Sequence, residues 1–129
     1  MSNHPCPIQD IGLSDQQVTE LLDRLDAEEI EMPPIERRST RRYLRGAAMV
    51  VSASAAEEAP SLRVRLRNVS RHGVAFLSSN GWEVGTRLRL ELPIGSELAS
   101  VEMLGVVVHR RHLEGPIFEI GAEFDTPCY

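Results

Sequence analysis

Five arginines fall within nine residues, at Arg37, Arg38, Arg41, Arg42 and Arg45. Their guanidinium groups are planar, permanently charged forks. Such forks pair bidentately with phosphate or with the O6 and N7 edge of guanine. A second polar set follows at Asn68-Val69-Ser70-Arg71-His72-Gly73. Its amide and hydroxyl can orient the polar edge of a ligand. Its glycine permits positive φ or the close approach of a ligand. Together the two sets could hold an anion that carries a polar base. Neither contains a nucleophile poised beside a base, so the chemistry is binding rather than catalysis. The bland alternatives are solvated linker charge for the arginines and ordinary turn chemistry for Asn68, Ser70 and Gly73. Arg71 and His72 are exposed turn residues in the simplest reading, with Arg41 a further possible contact.

The segment before the arginines predicts a helix. Ser14 and Gln17 form a capping box, in which each satisfies a backbone N–H near the other. Val18, Leu21, Leu22 and Leu25 then recur at the spacing of one helical face. The helix is expected from about Asp15 to Glu29. It either packs against its own domain or offers a docking or dimerising face. Short amphipathic helices need tertiary contacts to persist, which favours packing. Pro33-Pro34 ends this part, and residues 1–13 read as a loose leader.

The segment after the arginines is β throughout. Strands are expected at 44–54, 62–67, 73–77, 86–92, 101–109 and 117–124. Leu62-Arg63-Val64-Arg65-Leu66-Arg67 alternates strictly, with one face in a core and the other in water. Gly105 suggests a bulge or a bend. Glu114-Gly115-Pro116 reads as a hairpin turn, and His109-Arg110-Arg111-His112 as its solvated end. Trp82 either packs on the β structure or stacks on a ligand base. Six short strands joined by turns point to an antiparallel sandwich or small barrel.

A hairpin about residues 55–60 sets residues opposite each other when their numbers sum to about 115. That brings Arg42 near His72 and Arg45 near Ser70. The two polar sets, distant in sequence, are expected to face one another.

Charge is unevenly spread over the 129 residues. Residues 1–36 carry nine acids against Arg24 alone, a net of -8, whereas residues 37–129 carry 13 arginines against 10 acids. All 14 basic residues are Arg, which is also a compositional bias. The organisation expected is an acidic leader and helix over 1–35 and a β module over 36–129. An acidic stretch directly before an arginine cluster is placed to mask it, so removing residues 1–32 is expected to tighten anion binding. The total of -5 and only six aromatic residues argue against a nucleic-acid platform. Cys6 and Cys128 have no CxxC partner, and zinc-ligand spacings are absent. No signal peptide or membrane-spanning run is apparent, so a cytoplasmic protein is expected.

At the two polar sets the sequence resembles the PilZ domain, a bacterial receptor for cyclic di-GMP. That family's signature is RxxxR, then a hairpin, then [D/N]xSxxG. Arg38-Ser39-Thr40-Arg41-Arg42 meets the first motif, and Asn68 to Gly73 meets the second. Gly85 before an alternating strand and Ile120-Gly121-Ala122-Glu123-Phe124 also agree, so the likeness spans about 36–126. Arg37 and Arg41 satisfy RxxxR as well; the register Arg38/Arg42 is favoured, with Arg37 as a third participant. Asn68 departs from the commoner Asp, and an amide accepts less strongly than a carboxylate. Many members carry a helix after the barrel, whereas here only five residues follow Phe124, which leaves the N-terminal helix to cover that surface.

The resemblance implies a six-stranded antiparallel β-barrel preceded by one amphipathic helix. It implies that Arg37, Arg38, Arg42, Asn68, Ser70 and Gly73 bind cyclic di-GMP, with no other cofactor and no metal. It implies an arginine segment that is mobile without ligand and wraps the barrel when ligand binds, signalling to a protein partner from a monomer or homodimer. The competing reading is a PilZ-like interaction module that binds no nucleotide.

Overall fold

A computed structural model of the chain describes residues 9–30, 45–53, 61–93 and 101–126. The capping box forms as expected. The Gln17 backbone N–H donates to Ser14 Oγ at 3.1 Å, and the Ser14 N–H donates to Gln17 Oε1 at 2.9 Å. Helix α1 follows over Asp15–Ile30.

The β segments are β2 (Ala48–Ala53), β3 (Leu62–Val69), β4 (Gly73–Ser78), β5 (Arg87–Leu92), β6 (Val101–Glu114) and β7 (Ile117–Phe124). Every pairing among them is antiparallel, in the order β3-β2-β5-β6-β7-β4, and β4 pairs back to β3. The six strands therefore close into a barrel. Closure leaves few open edges. One remains where β4 does not reach the start of β3. There Gln9–Asp10 adds a two-residue parallel strand, β1, opposite Leu62 and Arg63. These two residues belong to the segment expected to be a loose leader, and pairing with β3 orders them.

Alternation decides what enters the barrel. Val64, Leu66, Phe76, Leu88, Leu90 and Ile120 are fully buried within one cluster. Trp82 closes it from the side, edge-on to Phe76 at 6.3 Å between ring centres, so it packs rather than facing a ligand.

A second cluster lies outside the barrel wall. Val18, Leu21, Leu22 and Leu25 of α1 bury against Leu77 of β4 and Ile117 of β7. The apolar stripe of the helix is thus spent on its own chain. Arginine and acid pairs ring this contact. Arg65 Nη2 bonds Asp15 Oδ1 at 2.7 Å, Arg111 Nη2 bonds Glu28 Oε2 at 2.7 Å, and Arg24 bonds Glu114.

Three details depart from the sequence reading. The β2–β3 hairpin pairs Ala48 with Arg65 and Val51 with Leu62, two residues away from the expected sum. The shift is even, so every side chain keeps its face. Gly105 is not a bulge; a Cβ there would lie 2.7 Å from Glu123 O, so the glycine permits close strand approach. The bulges on β6 fall between Val107 and His109 and between His112 and Glu114, and β6 extends past the expected end at His109, through the solvated charged stretch, to Glu114.

Candidate ligand-binding site

The signature turn is organised by its own hydrogen bonds. The Ser70 N–H donates to Gly73 O at 2.8 Å, and the His72 N–H lies 3.4 Å from Ser70 Oγ. The Phe124 N–H donates to His72 O at 2.8 Å, which ties the turn to the end of β7. Gly73 has no positive φ. A Cβ at this position would meet Ala122 O at 2.5 Å. The glycine is therefore needed for the approach of β4 to β7, a role that the sequence reading did not give it. Arg71 and His72 are both exposed.

Asn68 is aimed by a bulge. The β3–β4 register shifts between Leu66 and Asn68, so Arg67 is an extra residue. Leu66 and Val69 both enter the core, and Arg67 and Asn68 are left on the outer side. Asn68 stands opposite Ala75, Ala75 opposite Gly121, and Gly121 opposite His109. Four strands thus present one outward row whose middle members are an alanine and a glycine. With strands about 4.8 Å apart, the row is a trough about 14 Å long, with Asn68 at one end and His109 at the other. Gly121 is tight against the far wall, since a Cβ there would lie 3.1 Å from His109 Cβ.

The trough opens into a cleft of about 390 Å³ lined by Asn68, Ala75, His109, Arg67, Arg111 and Glu119, with Leu25 and Glu28 from α1. Arg67 is 7% exposed and forms an ion pair with Glu119, which is itself 4% exposed. Arg67 also reaches Asp26 at 3.5 Å. A buried charge of this kind needs a partner to tolerate its desolvation. Arg67 was expected in water with Arg63 and Arg65; the docked helix and the bulge bury it instead. Arg111 lies two residues beyond His109, and its hydrogen bond to Glu28 is the main cause that raises its pKa above the ordinary arginine value.

His109 and Arg111 are exposed, as expected of a solvated hairpin end, and they also line this cleft. Their alternate spacing on one strand was the available signal. The β6–β7–β4–β3 pairing that carries them to Asn68 has no local signature.

Arg37, Arg38, Arg41 and Arg42 lie outside the described residues, so their expected positions opposite the Asn68–Gly73 turn do as well. Arg45, the last of the cluster, is described. Its Nη2 bonds Asp23 Oδ1 at 2.6 Å and its Nε bonds Asp26 Oδ2 at 3.2 Å. Burial lowers its pKa, but the Asp23 hydrogen bond and the nearby Asp26 charge outweigh this and raise it. The Gly46 N–H donates to Leu66 O at 2.7 Å, so the strand that continues from Arg45 is fastened beside the Arg67–Asn68 bulge, rather than beside Ser70.

The model of the PilZ domain matches residues 36–127. The chain belongs to the PilZ family. PilZ domains are binding and adaptor modules, and the family includes effectors that respond to cyclic di-GMP. Among solved structures, the Bacillus subtilis inhibitor of motility (MotI/DgrA) is similar, with a TM-score of 0.50 and 23% sequence identity. That match covers 75% of this chain and 49% of the other, so this chain spans about half the length of that structure, and the likeness is one of fold. No curated protein matches the chain. The PilZ match begins at the arginine cluster and runs through the barrel; helix α1 lies before it. No described helix is long and apolar enough to cross a membrane.

Proposed function

We propose that this chain is a bacterial cytoplasmic effector that binds cyclic di-GMP and passes the signal to a protein partner. The observation that carries this reading is the trough. Asn68 is aimed outward by a bulge, over a floor of Ala75 and Gly121 that leaves room for a flat base. Gly46, next to the last arginine of the cluster, is fastened to Leu66 beside it. Arg38 and Arg42 clamp the phosphates or the guanine edge, with Arg37 as a third fork and Arg41 the alternative register. Asn68 and Ser70 hold polar edges of the ligand, and Gly73 keeps the turn close to β7. Arg71 and His72, exposed on the turn, add further contacts. Binding folds the arginine segment over the trough, and that change of surface is what a partner reads. The division into an acidic segment over 1–35 and a ligand-binding module over 36–129 belongs to the same reading.

A second reading is favoured by one observation. The two arginines of the cleft already face carboxylates, Arg67 with Glu119 and Arg111 with Glu28. Without the arginine segment the cleft offers a dianion little net charge, as a PilZ-like module that binds protein alone would.

Titration calorimetry with cyclic di-GMP separates the two. Micromolar binding is expected for the wild type, and Arg42→Ala should weaken it at least about tenfold, the loss of a charge-assisted bidentate contact. No heat from the wild type at micromolar protein moves the assignment to the second reading.

A further inference from the structure

The cleft beside Asn68 holds two arginines in different states. Arg67 is buried and committed to a buried carboxylate. Arg111 is about half exposed, with 46% of its side chain open to solvent, and its partner Glu28 is 56% open. Both line the same cleft as Asn68, Ala75 and His109. An exposed pair of this kind contributes little and exchanges partners readily. Glu28 comes from α1, the acidic element that precedes the family's own fold.

We propose that Arg111 is a further anion-binding residue of the cleft, and that Glu28 of α1 competes with a ligand phosphate for it. The proposal rests on the cyclic di-GMP reading and adds to it a residue outside the family signature and a competitor built into this chain. Displacing Glu28 does not require undocking the helix. Leu22 and Leu25 stay buried against Leu77 and Ile117 while the Glu28 side chain turns into water. The masking expected from the acidic segment as a whole thus acts through one carboxylate of α1 upon Arg111 of β6, rather than only on the arginine cluster.

The test compares the wild-type chain, Glu28→Gln, Arg111→Gln and the double variant by titration calorimetry with cyclic di-GMP. Both single variants remove the same ion pair. If that pair were only structural, both would move affinity the same way. Competition instead predicts opposite signs. Glu28→Gln should bind about threefold tighter, and Arg111→Gln about fivefold weaker, as expected for an exposed pair and a charged contact. The gain from Glu28→Gln should vanish in the Arg111→Gln background. Equal affinity in wild type and Glu28→Gln, or a gain that persists without Arg111, overturns the competition while leaving the cyclic di-GMP reading in place. Binding by Glu28→Gln where the wild type shows none supports the competition in its strongest form. No binding by any of the four proteins overturns the cyclic di-GMP reading, and the competition with it.

Discussion

On the outer face of the barrel, the row Arg65, Leu77, Glu119 and Arg111 lies one step from the row Asn68, Ala75, Gly121 and His109. The same four strands build both. The first has a leucine where the second has an alanine, and a glutamate where the second has a glycine. In the first row Leu77 packs under α1 and has no exposed surface, and Glu119 is buried in its ion pair with Arg67. The small residues of the second row leave the trough. On β4 and β7 the barrel wall therefore changes from a helix seat to an open trough through side-chain volume, while the bulge on β3 turns Asn68 outward beside it. Arg111 sits at the join, at the end of the covered row and on the rim of the open one.

The comparison can be broken at several points. The largest effect is expected from Leu77→Ala, which removes the centre of the helix seat. Filling cannot compensate at a fully buried position, so a loss of about 2–5 kcal/mol is predicted in urea denaturation. Next is Gly73→Ala. Its methyl would press on the Ala122 carbonyl, and overpacking of this kind costs about 1–3 kcal/mol; a lowered midpoint of thermal unfolding would report it. Ala75→Leu would give the trough the volume of the helix seat. It should weaken cyclic di-GMP binding at least about tenfold, or roughly 1.4 kcal/mol, with stability nearly unchanged because Ala75 is only half-buried. Unaltered affinity in a titration of that variant would mean that the trough is not the ligand floor. The smallest effect is Ser14→Ala, about 1 kcal/mol from the lost cap. Helical circular dichroism should fall before the barrel signal if α1 is the less stable of the two regions.

What the sequence made legible was local. Ser14 and Gln17 predict their cap because both partners lie within one turn. The barrel strands announce themselves through period-two alternation, most clearly at Leu62–Arg67 and Arg87–Leu92. The signature turn was visible because its residues are contiguous. The β2–β3 register came out two residues off, since the pairing depends on the 55–60 connection, whose geometry no single residue states. Arg67 looked like its neighbours Arg63 and Arg65; only a bulge and a docked helix, both set by distant contacts, make it the buried one. His109 and Arg111 are exposed, as a solvated hairpin end requires, but the continuation of β6 past His109 is not legible, because β-propensity disfavours so charged a stretch. Pairing with β7 holds it extended there. The small floor went unnoticed for a simple reason: Ala75 and Gly121 are significant for what they leave empty.

If the trough between Asn68 and His109 receives cyclic di-GMP, the ligand perturbs the backbone amides that line it. Amide chemical-shift mapping of the full chain by NMR, with cyclic di-GMP added in steps, tests it most directly. The largest shifts are expected at Asn68 to Gly73, Ala75, Gly121 and His109, with the exposed aliphatic residues Val101 and Leu104 of β6 unchanged. Shifts centred on those aliphatic residues, or none at all at saturating ligand, would contradict it.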